Sequence, residues 1–217
     1  MKLEKMDAFF EARLSDYDEH MLTAIESARE FYPFTANELP KFPDAHVLDL
    51  GCGTGLELEY YFRIAPQASI TGIDLSKGML DALRAKFPER QLNLIQDSYF
   101  DADLPSENFD AAVSVESLHH FTKEQKLPLY TKLCRALKND GYFILTDYFA
   151  STDQDEIAMR NDLLRLMRED GIADNHFYHY DTPLTVAHET EALLEAGFTR
   201  VEHLNVWGET HCLKAVK

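Results

Sequence analysis

The chain has 217 residues and a formal net charge of −17, enough for one α/β domain with an elaboration but short of two comfortable domains. No apolar run is long enough to cross a bilayer and no leader pattern opens the chain. The acidic balance, with no basic stripe to neutralise phosphates, argues against nucleic acid and anionic membrane surfaces as partners. Cys52, Cys134 and Cys212 are scattered without Cys-x-x-Cys spacing, which argues against a zinc site or a disulfide framework and for a cytoplasmic protein.

Residues 1–40 are expected to form a helical cap. Leu3, Met6, Phe9, Phe10, Leu14, Met21, Leu22 and Ile25 recur at broken three-to-four spacing. Ser15 or Asp16 suits the N-cap of a second helix, and Pro33, Pro40 and Pro43 place a loop before the first strand. A core over 41–150 follows. Val47–Leu50 reads as a buried strand carrying Asp49, and it breaks into the turn Gly51-Cys52-Gly53-Thr54-Gly55. Glycines there take positive φ and let a ligand approach the backbone. The spacing is Gly-x-Gly-x-Gly, with Leu56 where a dinucleotide-binding fingerprint would have its third glycine. Ser69–Asp74 is a second strand ending in a carboxylate, and Leu92–Ser98 a third with Asp97 at its end. Ser76 caps the helix that carries Met79, Leu80, Leu83 and Phe87.

Phe109–Val115 is a fourth, buried strand. Thr122 and Gln125 fit a capping box, with the helix restarting at Pro128. A turn over Leu137–Gly141 precedes the strand to Asp147. Residues 151–183 read as an insertion with an amphipathic helix over 153–170. Residues 184–217 carry a final helix stopped by Gly197 and two strands joined at Trp207-Gly208-Glu209, a connection suited to an antiparallel pair.

The glycine turn and the two acidic strand ends together resemble the class I S-adenosylmethionine-dependent methyltransferases, whose first motif runs hydrophobic-hydrophobic-Asp/Glu-x-Gly-x-Gly-x-Gly. The resemblance covers residues 45–150 by motif and the rest by layout. It implies one Rossmann-like, doubly wound, seven-stranded sheet with an antiparallel last strand, and S-adenosylmethionine as cofactor. It also implies that Asp49, Gly51, Cys52, Gly53 and Gly55 surround the cofactor's amino-acid tail. Asp74 with Leu75 would meet the ribose, Asp97 with Ser98 the adenine, and Glu116 the ammonium or the acceptor.

In open α/β sheets the ligand lies outside the carboxyl ends of the strands. That edge carries His119 and His120 after the fourth strand and Tyr148 after the fifth, and the cap brings Tyr17 over it. These four are the candidate catalytic residues. The expected role for a histidine is to position the acceptor; a general base is the competing role. No metal is expected, because adjacent histidines rarely share one ion and no third ligand follows at useful spacing. Arg13, His176 and His179 are further polar candidates near the same edge. The expected activity is in-line methyl transfer to a small-molecule acceptor, driven mainly by positioning and exclusion of water. A carboxy-S-adenosylmethionine-synthase-like enzyme and a non-catalytic S-adenosylmethionine-binding regulatory subunit are the alternatives.

Overall fold

Strands whose apolar runs are nearly continuous can be buried on both faces, and helices then cover both sides of a parallel sheet. In a computed structural model, which describes residues 2–173 and 176–217, β1 (His46–Leu50), β2 (Ser69–Asp74), β3 (Gln91–Gln96), β4 (Phe109–Val115) and β5 (Leu137–Tyr148) pair in parallel. β6 (Arg200–Trp207) and β7 (Thr210–Val216) complete a seven-stranded sheet of order β3-β2-β1-β4-β5-β7-β6. β7 runs antiparallel to both its neighbours, as the short Gly208 connection requires. The chain leaves β1 toward β2 on one side and returns to β4 on the other, so the sheet's switch point lies between β1 and β4.

On one face, Phe31 and Tyr32 of α3 (Ala28–Glu38), Leu58, Tyr61 and Phe62 of α4 (Leu56–Ile64) and Leu80 and Leu83 of α5 (Lys77–Lys86) close one hydrophobic core. On the other, α6 (Lys123–Ala136) and α8 (Val186–Glu195) pack through Leu129, Tyr130, Leu133, Ala192 and Leu193. A buried ion pair ties those two helices: Lys126 Nζ lies 2.6 Å from Glu189 Oε2, and the Tyr130 hydroxyl donates to the same carboxylate. Breaking such a pair on one side typically costs about 3–5 kcal/mol.

The expected loop from Pro33 begins only after Glu38. Pro33 sits inside α3, where Phe31, Tyr32, Thr35 and Ala36 are buried, and Thr35 Oγ1 bonds Thr146 Oγ1 of β5 at 2.6 Å. Burial of that face outweighs the one helical bond a proline removes. α3 therefore belongs to the core layer, and the cap is confined to α1 (Met6–Arg13), a short 3-10 turn and α2 (Tyr17–Ala24). The restart at Pro128 does not occur either. The capping box forms, with the Thr122 amide donating to Gln125 Oε1 at 2.9 Å, and α6 runs unbroken to Ala136. The expected Leu137–Gly141 turn is instead the start of β5, with a register shift opposite Phe109 and Ala111 and Asp140 at a φ of 65°.

The insertion is α7 (Asp153–Glu169) and an extended segment behind it. Only Leu166 of α7 is buried. The extended segment pairs with the start of the chain: Lys5 and Tyr178 form an antiparallel bridge, the Met6 amide donates to Phe177 O at 3.0 Å, and the His179 amide to Glu4 O at 3.0 Å. Cap and insertion thus form one cover. Among the described residues no helix is long and apolar enough to cross a membrane.

Candidate functional site

The turn after β1 is built as its glycines suggest. Gly51, Gly53 and Gly55 have φ of +72°, +47° and +72°, a region that costs other residues about 1–2 kcal/mol. The Gly51 and Cys52 amides donate to Ile73 O at 2.9 and 3.2 Å, and the Gly53 amide donates to Asp74 Oδ2 at 2.9 Å. Asp74 Oδ1 accepts from the Ser76 amide at 2.8 Å. The turn is thereby stitched to the end of β2. A Cβ on Gly51 would stand 2.1 Å from Ser117 Oγ, so the close approach is made by the β4 loop. Cys52 points into the sheet, where a Cβ on Gly72 would fall 2.8 Å from its sulfur; burial pushes its thiol up, which leaves it unreactive.

Asp49 is buried. Its Oδ2 and the Oε1 of Glu57, from the first turn of α4, are both buried without a donor. Burial and then the Glu57 charge push the Asp49 carboxyl well above the carboxylate range. Burial also raises Glu57, against its bonds to Asp49 and to backbone amides. A single proton shared between the two carboxyls would satisfy both oxygens. Asp49 thus packs against the Glu57 carboxyl at the start of α4.

The cap closes over the turn. The Tyr17 hydroxyl lies 3.7 Å from where a Gly53 Cβ would stand. Asp18 accepts from Thr54 Oγ1 and pairs with Lys86 at 2.7 Å, and Glu11 accepts from Ser76 Oγ at 2.6 Å and the Gly78 amide at 3.1 Å. Leu75, Asp97 and Ser98 line a separate cavity of about 380 Å³ with Met6 and Phe177. Asp97 accepts from the Ser98 amide at 2.8 Å.

The larger cavity, about 930 Å³, lies between the cap and the carboxyl ends of β4 and β5. Tyr17, Glu116, His119, His120 and Tyr148 all line it. His119 Nδ1 donates to Asp147 Oδ1 at 2.5 Å; Asp147 also accepts from the Leu118 and Tyr148 amides at 2.8 and 3.0 Å. Burial opposes the His119 charge, but Asp147, Glu116 and Asp181 outweigh it and hold the imidazole up at about 9. His120, its ring centroid 4.0 Å away, is pushed down to about 4 by burial and by the His119 charge. The buried pair accommodates one proton charge, not two. Glu116 is raised to about 7 by burial and by Asp147, against His119, and it accepts from Thr210 Oγ1 at 3.2 Å.

Residues 47–141 match the family of the methyltransferase domain, over the segment that holds the glycine turn, Asp74 and the paired histidines. Over that segment the chain is similar to a methyltransferase domain. It is 34% identical to the fatty-acid O-methyltransferase of Mycolicibacterium smegmatis over 101 residues, 46% of this chain and 36% of that relative. The chain spans about a third of the length of the curated relatives it first matches, 36% and 30%. The fold also superposes on an S-adenosylmethionine-dependent methyltransferase from Mesorhizobium loti, with a TM-score of 0.60, 21% identity and coverage of 85% of this chain and 96% of that one. Human N-acetylserotonin methyltransferase, in complex with S-adenosylmethionine, superposes with a TM-score of 0.63 at 18% identity, over 96% of this chain and 55% of that one.

The chain thus brings its four candidate catalytic residues and Glu116 to one cavity, and Leu75, Asp97 and Ser98 to another. Tyr17 joins the cavity to the glycine turn. Arg13 reaches the cavity wall, but Glu4 holds its guanidinium at 3.1 Å and it lies 3.6 Å over the Phe9 ring. His179 also lines the cavity, stacked on Phe9 with centroids 3.5 Å apart. Motif reading passed over Glu57, Asp147 as the partner of His119, and Asp181. Glu57 was findable, since it lies in the first turn of the helix that the glycine loop starts. Asp181 carries no local signal beyond its place in a segment rich in histidine and tyrosine.

Proposed function

We propose that this chain is an enzyme that methylates a small molecule seated in the larger cavity, with S-adenosylmethionine as the donor. Support for the cofactor comes from a positive-φ glycine turn for close backbone approach and from Leu75, Asp97 and Ser98 around a cavity suited to the adenine; Asp74, whose oxygens accept from the Gly53 and Ser76 amides, is assigned to the ribose hydroxyls through its remaining lone pairs. When bound, S-adenosylmethionine supplies an electrophilic methyl on a positively charged sulfur. Everything else falls to this chain's own side chains. Phe9, Phe10, Met21, Ile25 and Trp207 give the cavity apolar walls that exclude water. Asp147 fixes the His119 ring, so that Nε2 is presented to the cavity in one orientation, and Tyr148 packs edge-on to it with centroids 6.0 Å apart.

The observation that carries this reading is the convergence of Tyr17, Glu116, His119, His120 and Tyr148 on one cavity reached from the glycine turn. Calorimetry tests it. S-adenosylmethionine and S-adenosylhomocysteine should bind, and Asp74→Ala should weaken both by about 1–3 kcal/mol, the cost of leaving buried hydroxyls unpaired. Tight NAD binding with no S-adenosylmethionine binding would overturn the reading.

A further inference from the structure

We propose that His119, His120 and Asp181 form a site for one divalent first-row transition-metal ion in the wall of the larger cavity. Their ligand atoms lie within 4.8 Å of one another. Asp181 Oδ1 stands 3.6 Å from His119 Nε2 and 3.2 Å from His120 Nδ1. Ligand atoms bound to one ion at about 2.0–2.2 Å stand roughly 3–3.5 Å apart, so a small inward adjustment closes the set. Two imidazoles and one carboxylate grouped on one side leave the other side open, the arrangement that suits an ion meant to take a further ligand.

Three features of the surroundings favour an ion over a chance cluster. The first is the carboxylate behind His119. Asp147 accepts from Nδ1 at 2.5 Å and is itself anchored by the Leu118 and Tyr148 amides. That fixes the ring and directs Nε2 away from Asp147, toward Asp181, as the outer partner of a metal-bound histidine does. The second is how Asp181 is delivered. The Thr182 amide donates to His119 O at 2.8 Å and Tyr180 O lies 3.3 Å from His120 Nδ1, so backbone contacts on either side of Asp181 hold this segment to the histidines beside the carboxylate itself. The third is burial. The His119 and His120 side chains are only 10% and 3% exposed, so both are held rigidly while the Asp181 side chain keeps one side toward solvent and the cavity.

Spacing along the chain offered no third ligand for the adjacent histidines; the fold supplies one from the insertion. The open side of the site faces the cavity that Tyr148 and His179 also line. An oxygen of a cavity-bound molecule is the ligand it would take, and the ion would lower that oxygen's proton affinity. The inference stands on ligand geometry alone and holds whatever group the chain transfers.

Untagged protein, stripped with a chelator and dialysed, tests it by calorimetric titration with Zn²⁺ and by the visible absorption of added Co²⁺. One Zn²⁺ per chain should bind with micromolar or tighter affinity, and Co²⁺ should give ligand-field bands of low coordination number. Asp181→Ala and His120→Ala should each weaken Zn²⁺ at least tenfold. Asp147→Asn should weaken it roughly 10- to 100-fold through the His119 ring alone. The Asp181 side chain is half exposed, so its variant tests the site even if the His120 variant folds poorly. Absence of stoichiometric binding, or binding that neither Asp181→Ala nor His120→Ala changes, would show that direct hydrogen bonds account for the cluster.

Discussion

At the scale of single residues, the paired carboxyls of Asp49 and Glu57 have the clearest consequence for solution behaviour. The groups that act on the pair are Asp74 and the Lys86 ammonium, with the Cys52 thiol, itself pushed up, beside Asp49. Burial leads in both members and raises both above the ordinary carboxylate range. A group whose folded-state pKa is raised adds stability that is complete below its unfolded value, about 4 for a carboxyl, and that is lost as pH rises through the folded value. Each unit by which the folded pair out-binds the unfolded chain for its proton corresponds to about 1.4 kcal/mol. In Glu57→Gln a permanent amide donor replaces the shared proton. Urea midpoints taken between about pH 5 and pH 8 should therefore fall with rising pH more steeply in the wild type than in Glu57→Gln. Equal slopes would mean that no proton is shared.

At the scale of elements, cap and core differ in how they are held. α1 buries Met6 alone and α2 buries Met21 alone, whereas β1 and β4 are buried almost throughout. The cap is fastened mainly by polar contacts at its ends: Glu11 on the start of α5, Asp18 on Thr54 and Lys86, and the bridge from Lys5 to Tyr178. Such a segment opens at lower free energy than the strands. Hydrogen exchange should show residues 6–24 exchanging well before β1 and β4 in free protein, with protection rising when S-adenosylhomocysteine is added, because Tyr17 lies over the turn the cofactor needs. Exchange of this segment as slow as that of β4 without ligand would make it core. α3, by contrast, should exchange with the core, since Phe31 and Ala36 are fully buried.

At the scale of the whole molecule, charge decides which partners are admitted. A net charge of −17 places a repulsive field around the chain, and several acids, among them Asp16, Glu26 and Glu209, line the larger cavity itself. Polyanions bind proteins largely by releasing counterions to clustered Lys and Arg. Binding to tRNA or duplex DNA should be undetectable by fluorescence anisotropy at physiological salt. A sub-micromolar complex that weakens steeply with salt would refute this.

What was legible in the sequence was whatever depends on neighbours along the chain. The glycine turn, the carboxylates ending β2 and β3, the caps at Ser76 and Thr122 and the antiparallel closing pair all rest on backbone geometry a few residues long, and periodicity exposed the strands. The places where local rules misled were those where burial and sheet pairing competed with them: Pro33 and Pro128 inside helices, and the turn expected over Leu137–Gly141 where β5 begins. Only the tertiary structure decided which chemistry-bearing residues meet. Asp147 comes to His119 because β5 lies beside β4, and Asp181 comes to both histidines because the insertion folds back beneath the cap. No spacing encodes either meeting, since the distances that matter run across the sheet edge and not along the chain.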